Sequence, residues 1–317
     1  MTIPPSERNA WKRLRKNKTA VAGMIVIILC LVMAAFAYFI SPDSSPNANR
    51  MTVEIGGRKP GFTATFLKVQ QPGNIHRSGF FERLLFGAAE THDYIPITSY
   101  EWRSDSVIVN RFIDEDVSER QAYRRSLFSN DTASHIVKRK FYLGTDKFGR
   151  DILSRLIVGV RVSLAVGLVT VIISVVIGVL LGSLSGYFGG AVDDIIMWLI
   201  NVVWSIPTLL LVFALTLLLG KGFWQVFIAI GLTTWVNVAR LVRGQVMSIK
   251  QLDYVEAGRA LGFSSSRIIV RHILPNVAGP IIVIAASNFA SAIVIEAGLS
   301  FLGVGVQPPQ PSWGLMI

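Results

Sequence analysis

Five apolar runs dictate what this chain can fold into: residues 19–40, and about 162–187, 195–219, 223–239 and 276–302. Each approaches or exceeds the roughly 20 residues a helix needs to cross the hydrocarbon core of a bilayer. Inside lipid every backbone polar group must be satisfied within the structure, and runs of this length do so as helices. Composition agrees: 51% of the 317 residues are hydrophobic and only 16% are charged, too apolar for a soluble chain of this size. The expected class is therefore an all-α multi-pass membrane bundle.

The net charge of +11 would suit a nucleic-acid binder, but its placement argues against that class. Arg8, Lys12, Arg13, Arg15, Lys16 and Lys18 precede the first run; Arg240, Arg243, Lys250, Arg259, Arg267 and Arg271 follow the fourth. Basic clusters beside spans mark the cytoplasmic side. Residues 1–18 thus form a basic cytoplasmic lead, and four crossings return the chain to the second basic cluster, so parity and charge agree. The run 19–40 is too long and too uniformly apolar for a signal peptide, and more spans follow it. Cys30, the one cysteine, lies within it and is expected to be a small buried hydrophobe.

Between residues 41 and 142 the composition becomes that of a small α+β module, placed outside by parity. Met51–Ile55 and Phe62–Val69 are expected as strands around a Gly-Gly-Arg-Lys-Pro-Gly turn, Ser106–Phe112 as a third strand and Val117–Phe128 as a mixed-charge helix. The module serves either as a structural collar or as a docking or gating element. Residues 143–161 follow, with Ile152, Leu156 and Val160 at helical spacing against Arg150, Asp151, Arg155 and Arg161, which predicts an amphipathic interfacial helix. Gly-Thr-Asp and Gly-Arg-Asp in this stretch lack any ligand cluster that would make them a metal or phosphate site.

Within the core, 162–317, Gly178, Gly182 and Gly186 recur at steps of four, with Gly190 continuing the series. Such a stripe lets a neighbouring backbone approach, within the chain or at a seam with a partner. Asp193 and Asp194 mark a short turn. Pro207 should kink the third span, as a structural bend or as a hinge. Lys221 and Gly222 mark an external turn. Glu296 lies near the far end of the last span, where a carboxylate is costly unless it faces the bundle interior or a cavity. It either lines a pathway or pairs with Arg150 or Arg155, the pairing being preferred.

The polar stretch Leu252–Pro275, between two spans and inside the basic loop 240–275, is long for a mere connection. It is expected as two short helices broken near Gly262, the first C-capped there, the second N-capped by one of Ser264 to Ser266 and stopped by Pro275. Physical reasoning leaves two readings level: a handle for a cytosolic partner, or a basic linker attracted to anionic headgroups. Glu256-Ala257-Gly258, then Gly262, then Leu274-Pro275 resembles the EAA loop of ABC-importer permeases. That pattern is Glu-Ala-Ala, three residues, Gly, nine residues, Ile, any residue, Leu-Pro; here Gly258 replaces the second Ala and His272 the Ile. Arg271-His-Ile-Leu-Pro-Asn276, the stretch 143–164 and the string from Glu296 to Gly314 are similar to the dipeptide and oligopeptide branch.

The resemblance covers residues 1–40 loosely and 143–317 closely. It implies a type I ABC importer permease-like fold and the C-type membrane subunit of a dipeptide or oligopeptide importer in the bacterial inner membrane. Its partners would be a homologous B-type permease, two ATPase subunits and an external substrate-binding protein, with ATP and Mg bound by the ATPases and no cofactor on this chain. Glu256, Ala257, Gly258, Arg259, Gly262, Leu274 and Pro275 would couple to an ATPase. The family also implies a further membrane helix after the Pro-rich loop, which residues 1–317 do not contain. No Gly-rich phosphate loop followed by Lys-Ser or Lys-Thr occurs, and no nucleophile elbow or paired-His motif, so ATP hydrolysis and other catalysis are not expected of this chain. The alternatives are a secondary transporter or channel without ATPase partners, a receptor or anchored enzyme whose activity lies in the 41–142 module, and a permease of the same family for nickel chelates or glycosides.

Overall fold

The computed structural model describes residues 12, 14–71, 78–114, 117–128, 135–220 and 222–316. The expectations for Arg8, Arg13 and Lys221 lie outside the described residues. Two compact units meet between Arg161 and Val162.

The first unit opens with α1 (Lys18–Ala35), whose N-cap Asn17 accepts hydrogen bonds from the amides of Thr19 and Ala20. No residue of α1 is buried, which is what a helix sheathed by lipid requires; Cys30 is therefore half-exposed rather than the buried hydrophobe expected. A short α2 (Ala37–Ile40) ends this run.

A five-stranded antiparallel sheet follows: β1 (Phe62–Gln70), β2 (His92–Trp102), β3 (Ser106–Asp114), β4 (Val117–Arg124) and β5 (Ile136–Phe141), in the order β4-β3-β2-β1-β5. A seven-residue helix α3 (Phe80–Phe86) lies between β1 and β2. Period-two alternation sends Leu67, Val69, Ile97, Val107 and Val109 to one face with Phe128, and Phe66 and Phe141 to the other with Ile55. Two expectations fail here. Val117–Phe128 is the edge strand β4 and a 3₁₀ turn, not a helix: its charges reflect a mostly exposed edge, where charge discourages further pairing, with Tyr123 half-buried against the core on one face. Met51–Ile55 is not a strand either; Val53–Ile55 is a 3₁₀ turn, and β1 pairs instead with β2 and β5.

Residues 143–151 form a latch rather than an interfacial helix. Thr145 Oγ1 donates to the Ile55 carbonyl at 2.5 Å and accepts from the Arg58 amide at 2.9 Å. Asp146 accepts from the amides of Phe148 and Arg150 and from Arg150 Nε at 2.7 Å, while Arg150 Nη1 reaches Asn49 at 2.9 Å. Gly149, at φ +73, presses so closely on Thr52 that a Cβ would overlap its carbonyl. These interactions account for the Gly-Thr-Asp string, and for Gly149 and Arg150 of Gly-Arg-Asp, without a ligand.

From Ile152 one helix, α4, runs unbroken for 37 residues to Phe188, joining the segment read as interfacial to the second span. The second unit continues with α5 (Gly190–Ser205), α6 (Thr208–Leu219), α7 (Phe223–Ile249), α8 (Asp253–Ala260), α9 (Ser265–Ile268), a π-turn at Ile269–Ile273, and α10 (Leu274–Phe301). Asp193 lies in the first turn of α5 and Asp194 follows within the helix, rather than in a connecting turn. Pro207 does more than kink its span: α5 and α6 meet at 95°. Ile206, immediately before it, is extended (φ −94, ψ 130), as the residue preceding a proline prefers.

Among the described residues four helices are long and apolar enough to cross a membrane, five crossings if the bent pair counts as one. Packing decides that it does. Gly178 faces Trp235 and Val238, Gly182 faces Ala239, and Gly186 faces Arg243 and Val246, so α4 and α7 run parallel. The chain leaves α4 at one end and enters α7 at the other, and residues 189–222 must therefore traverse the unit. Helix α10 returns antiparallel to α7. Val166, Val226, Phe227, Ile230, Ala292 and Leu299 cluster at one end, and Val242, Val246, Ile273 and Val277 at the other.

Candidate functional site

The loop between α7 and α10 is built from the two helices expected of it. Helix α8 ends in a Schellman motif: the Phe263 amide donates to the Gly258 carbonyl at 3.0 Å and the Gly262 amide to Arg259 at 2.9 Å, with Gly262 at φ +75. The Phe263 ring lies over Gly258, where a Cβ would meet Cδ2 at 3.4 Å, an ordinary contact. Ser264 then takes the N-cap position of α9 in backbone conformation (φ −63, ψ 148), without a side-chain hydrogen bond.

Pro275 does not stop the second helix as expected. The chain passes from α9 through the π-turn into α10, with Pro275 in the first turn of that helix. Proline lacks an N–H and its ring crowds the carbonyl four residues back; the wider π-turn relieves both. The His272 carbonyl accepts from Asn276 Nδ2 at 2.7 Å, and Tyr254 of α8 accepts from that same amide at 3.2 Å. Phe263 stacks on His272 with centroids 5.8 Å apart, and the Arg267 guanidinium lies 4.1 Å from the Phe263 ring. His272, where the resembled pattern has Ile, thus helps lock α8 to the π-turn.

The pair of helices is fastened to three spans. Val255, Ile268, Ile269 and Ile273 are buried with Val242 and Val246 of α7, Val277 of α10 and Tyr187 of α4. Arg259 places its guanidinium 5.1 Å from the Tyr187 ring. Of the residues singled out in sequence, Gly258 is buried and Leu274 half-buried, whereas Glu256, Ala257, Arg259, Gly262 and Pro275 are exposed. Leu252, Tyr254 and Leu261 are exposed as well, Leu261 to 73%. An outward apolar tip beside Glu256 and Ala257 is what a docking handle presents.

One contributor was missed in sequence. Asp193 forms a bidentate pair with Arg243, both bonds 2.6 Å, and accepts from Ser185 Oγ, tying α4, α5 and α7 together beside this loop. The four-residue glycine steps point to that neighbourhood, because Gly186 touches the Arg243 carbonyl.

The other expected residues lie elsewhere. Gly178, Gly182 and Gly186 form the α4–α7 seam; Gly190 lies past the end of α4, at φ +51, with nothing beside it. Pro207 is at the 95° break. Glu296 is fully buried, with Oε1 accepting from Ser300 at 2.6 Å and Oε2 without a hydrogen bond. Within its own unit Glu296 is served by Ser300, and within the other Arg150 is held by Asp146 at 2.7 Å, while Arg155 Nη1 is buried without a hydrogen bond.

The family described as "Binding-protein-dependent transport system inner membrane component" matches residues 178–317, and "N-terminal TM domain of oligopeptide transport permease C" matches residues 8–53. The "Dipeptide transport system permease protein DppC" of Lactococcus lactis is 34% identical over 310 residues, 98% of this chain and 78% of that relative. The chain belongs to the dipeptide/oligopeptide permease family of ABC importers. The permease is also 32% identical to the Bacillus subtilis DppC, over 98% of this chain and 72% of that one. It matches the Escherichia coli "Oligopeptide transport system permease protein OppC" at 45% identity over 176 residues, 56% of this chain and 58% of the relative. A solved MetNI methionine ABC transporter aligns with a TM-score of 0.42 at 21% identity, covering 47% of this chain and 74% of that one. The family is one of inner-membrane transport permeases, and the multi-pass helical core with its small sheet insertion fits that membership.

Proposed function

We propose that the permease is the C-type subunit of a bacterial importer of di- or oligopeptides, lining half of a pathway completed by a homologous B-type chain. Two separate ATPase subunits bind ATP and Mg, and an external binding protein delivers the peptide. The N-terminus and the α7–α10 loop face the cytoplasm, and the sheet module faces outside. The basic residues around the loop support that orientation, and the dipeptide and oligopeptide relatives support the substrate class.

The observation that carries the proposal is the double attachment of α8. Its outer side, Glu256, Ala257 and Leu261, is free, and its inner side, Val255 and Gly258, is buried against the ends of the spans. A groove on an ATPase that grips the outer side and moves on ATP binding shifts the spans through the inner side. ATP drives this change only through contacts that differ between the two states, and those contacts are at this helix. Glu256, Ala257 and Arg259 carry the outer contact; Gly258, Gly262, Leu274 and Pro275 keep the element in shape. Pro207 serves as the joint within one span, and Glu296, with a free carboxylate oxygen, stands beside the pathway. The test is Gly262→Pro, which cannot adopt φ +75. Peptide uptake should be abolished while membrane insertion is kept; unimpaired uptake would refute the coupling role.

A further inference from the structure

The sheet module contains a cavity of about 190 Å³ that transport coupling does not use. Its lining includes Asp43, Arg50, Tyr94, Arg139, Lys140 and Asp151. Two cations share one ring: the guanidinium groups of Arg50 and Arg139 each lie 4.2 Å from the Tyr94 centroid. Arg50 Nε donates to Glu90 at 3.1 Å, but its Nη1, 3.5 Å from Asp43, is buried without a hydrogen bond. Among the described residues Arg139 forms no ion pair.

The carboxylates are arranged unequally. Asp43 is taken up by the Ser45 amide at 3.0 Å, the Ser45 hydroxyl at 3.0 Å and the Arg50 amide at 3.2 Å. Asp151, only 6% exposed, directs Oδ2 to the amide and hydroxyl of Ser154, while its Oδ1 is buried with no partner. Buried polar atoms in folded proteins are nearly always hydrogen-bonded, so an orphan acceptor and an orphan donor on one cavity call for a bound group. Burial raises the Asp151 carboxyl above its ordinary value, and burial with the nearby Arg50 charge lowers the Arg139 guanidinium. Among the described residues Asp151 and Arg139 thus have no counter-charge, whereas Arg50 is paired with Asp43 and Glu90.

An anion alone would serve Arg139 and the spare Nη1 of Arg50 and leave Asp151 orphaned; a cation alone would do the reverse. We propose that this cavity binds a small zwitterion, a free amino acid or very short peptide, with its carboxylate on Arg50 and Arg139 and its ammonium on Asp151. Carboxylate recognition by a guanidinium is geometrically favoured, and Tyr94 closes one wall. The inference rests on residues of this module and does not depend on the transport reading.

The test uses the full chain in detergent micelles, without partner subunits, titrated calorimetrically with L-alanyl-L-alanine. Binding at one site per chain is expected. It should weaken at least tenfold for N-acetyl-dialanine, which lacks the ammonium, for dialanine amide, which lacks the carboxylate, and for Arg139→Gln. Arg139 lies on the edge strand β5, and an unchanged thermal unfolding profile for the variant separates lost binding from lost fold. Asp151→Asn should weaken dialanine while leaving the residual binding of the N-acetyl form unchanged. Absence of dialanine binding, equal binding of either blocked form, or binding that survives Arg139→Gln overturns the proposal.

Discussion

Gly182→Ala tests the α4–α7 seam with one methyl group. A Cβ there would lie 2.4 Å from the Ala239 carbonyl oxygen and 3.0 Å from its Cα, against about 3.4 Å for ordinary contact. The obstacle is backbone, so relief requires opening the seam by roughly 1 Å. Gly178 and Gly186, in similar contact with the carbonyls of Trp235 and Arg243, prevent local yielding. A gap of that size forfeits about a quarter to a half of each dispersion contact along the seam, and dispersion is what holds helices together in lipid. Overpacking costs about 1–3 kcal/mol; the helix propensity of Ala returns about 1 kcal/mol of it. The net expectation is a loss of up to about 2 kcal/mol. Gly244→Ala on α7, where no atom lies within 4 Å, should instead gain up to about 1 kcal/mol. Unfolding in mixed micelles by increasing dodecyl sulfate, followed by tryptophan fluorescence, resolves that contrast. If the two variants shift the midpoint alike, the close-approach argument is wrong.

Gly258→Ala, meeting Phe263 at 3.4 Å, should leave uptake intact and raise stability by up to about 1 kcal/mol. Gly262→Ala should instead lose about 1–2 kcal/mol for left-handed strain, both readable by thermal unfolding. Reversing the ion pair offers a second check: Asp193→Arg and Arg243→Asp should each lower the unfolding temperature, and the double reversal should recover part of the loss. His92 is held below its ordinary pKa of 6.5 by burial and by the charges of Lys68 and His135. The unfolded chain therefore takes up that proton first, and stability of the sheet module should fall as pH drops through and below about 6.5. Proteolysis of the module measured against pH should show this slope, and His92→Gln should flatten it.

The spans were legible because their apolar length is set by the bilayer rather than by tertiary context. The α8–Gly262–α9 break was legible because φ +75 selects glycine whatever surrounds it. What escaped was decided by packing partners distant in sequence. Val117–Arg124 carries little apolar alternation because, at the sheet edge, most of it is exposed and only Tyr123 packs on the core, so its pairing with Ser106–Asp114 makes it a strand. Arg150 and Arg155 were the expected partners of Glu296, yet the Arg150 guanidinium is held by Asp146, the carboxylate four residues before it. The local rule makes Pro275 a stop, whereas the chain continues through a π-turn whose His272 carbonyl accepts from Asn276, itself bonded to Tyr254 of α8. Asp193 looked like a turn residue because Arg243 lies fifty positions away.

The coupling helix is the centre of this account, and its partner can be captured directly. A photo-crosslinking amino acid in place of Leu261, the 73% exposed tip of the element, can be irradiated in the purified transporter with and without ATP. The account predicts a covalent adduct with an ATPase subunit whose yield changes with nucleotide, and no such adduct from Phe81 in the sheet module. An adduct with the external binding protein, or none with an ATPase in either state, would contradict it.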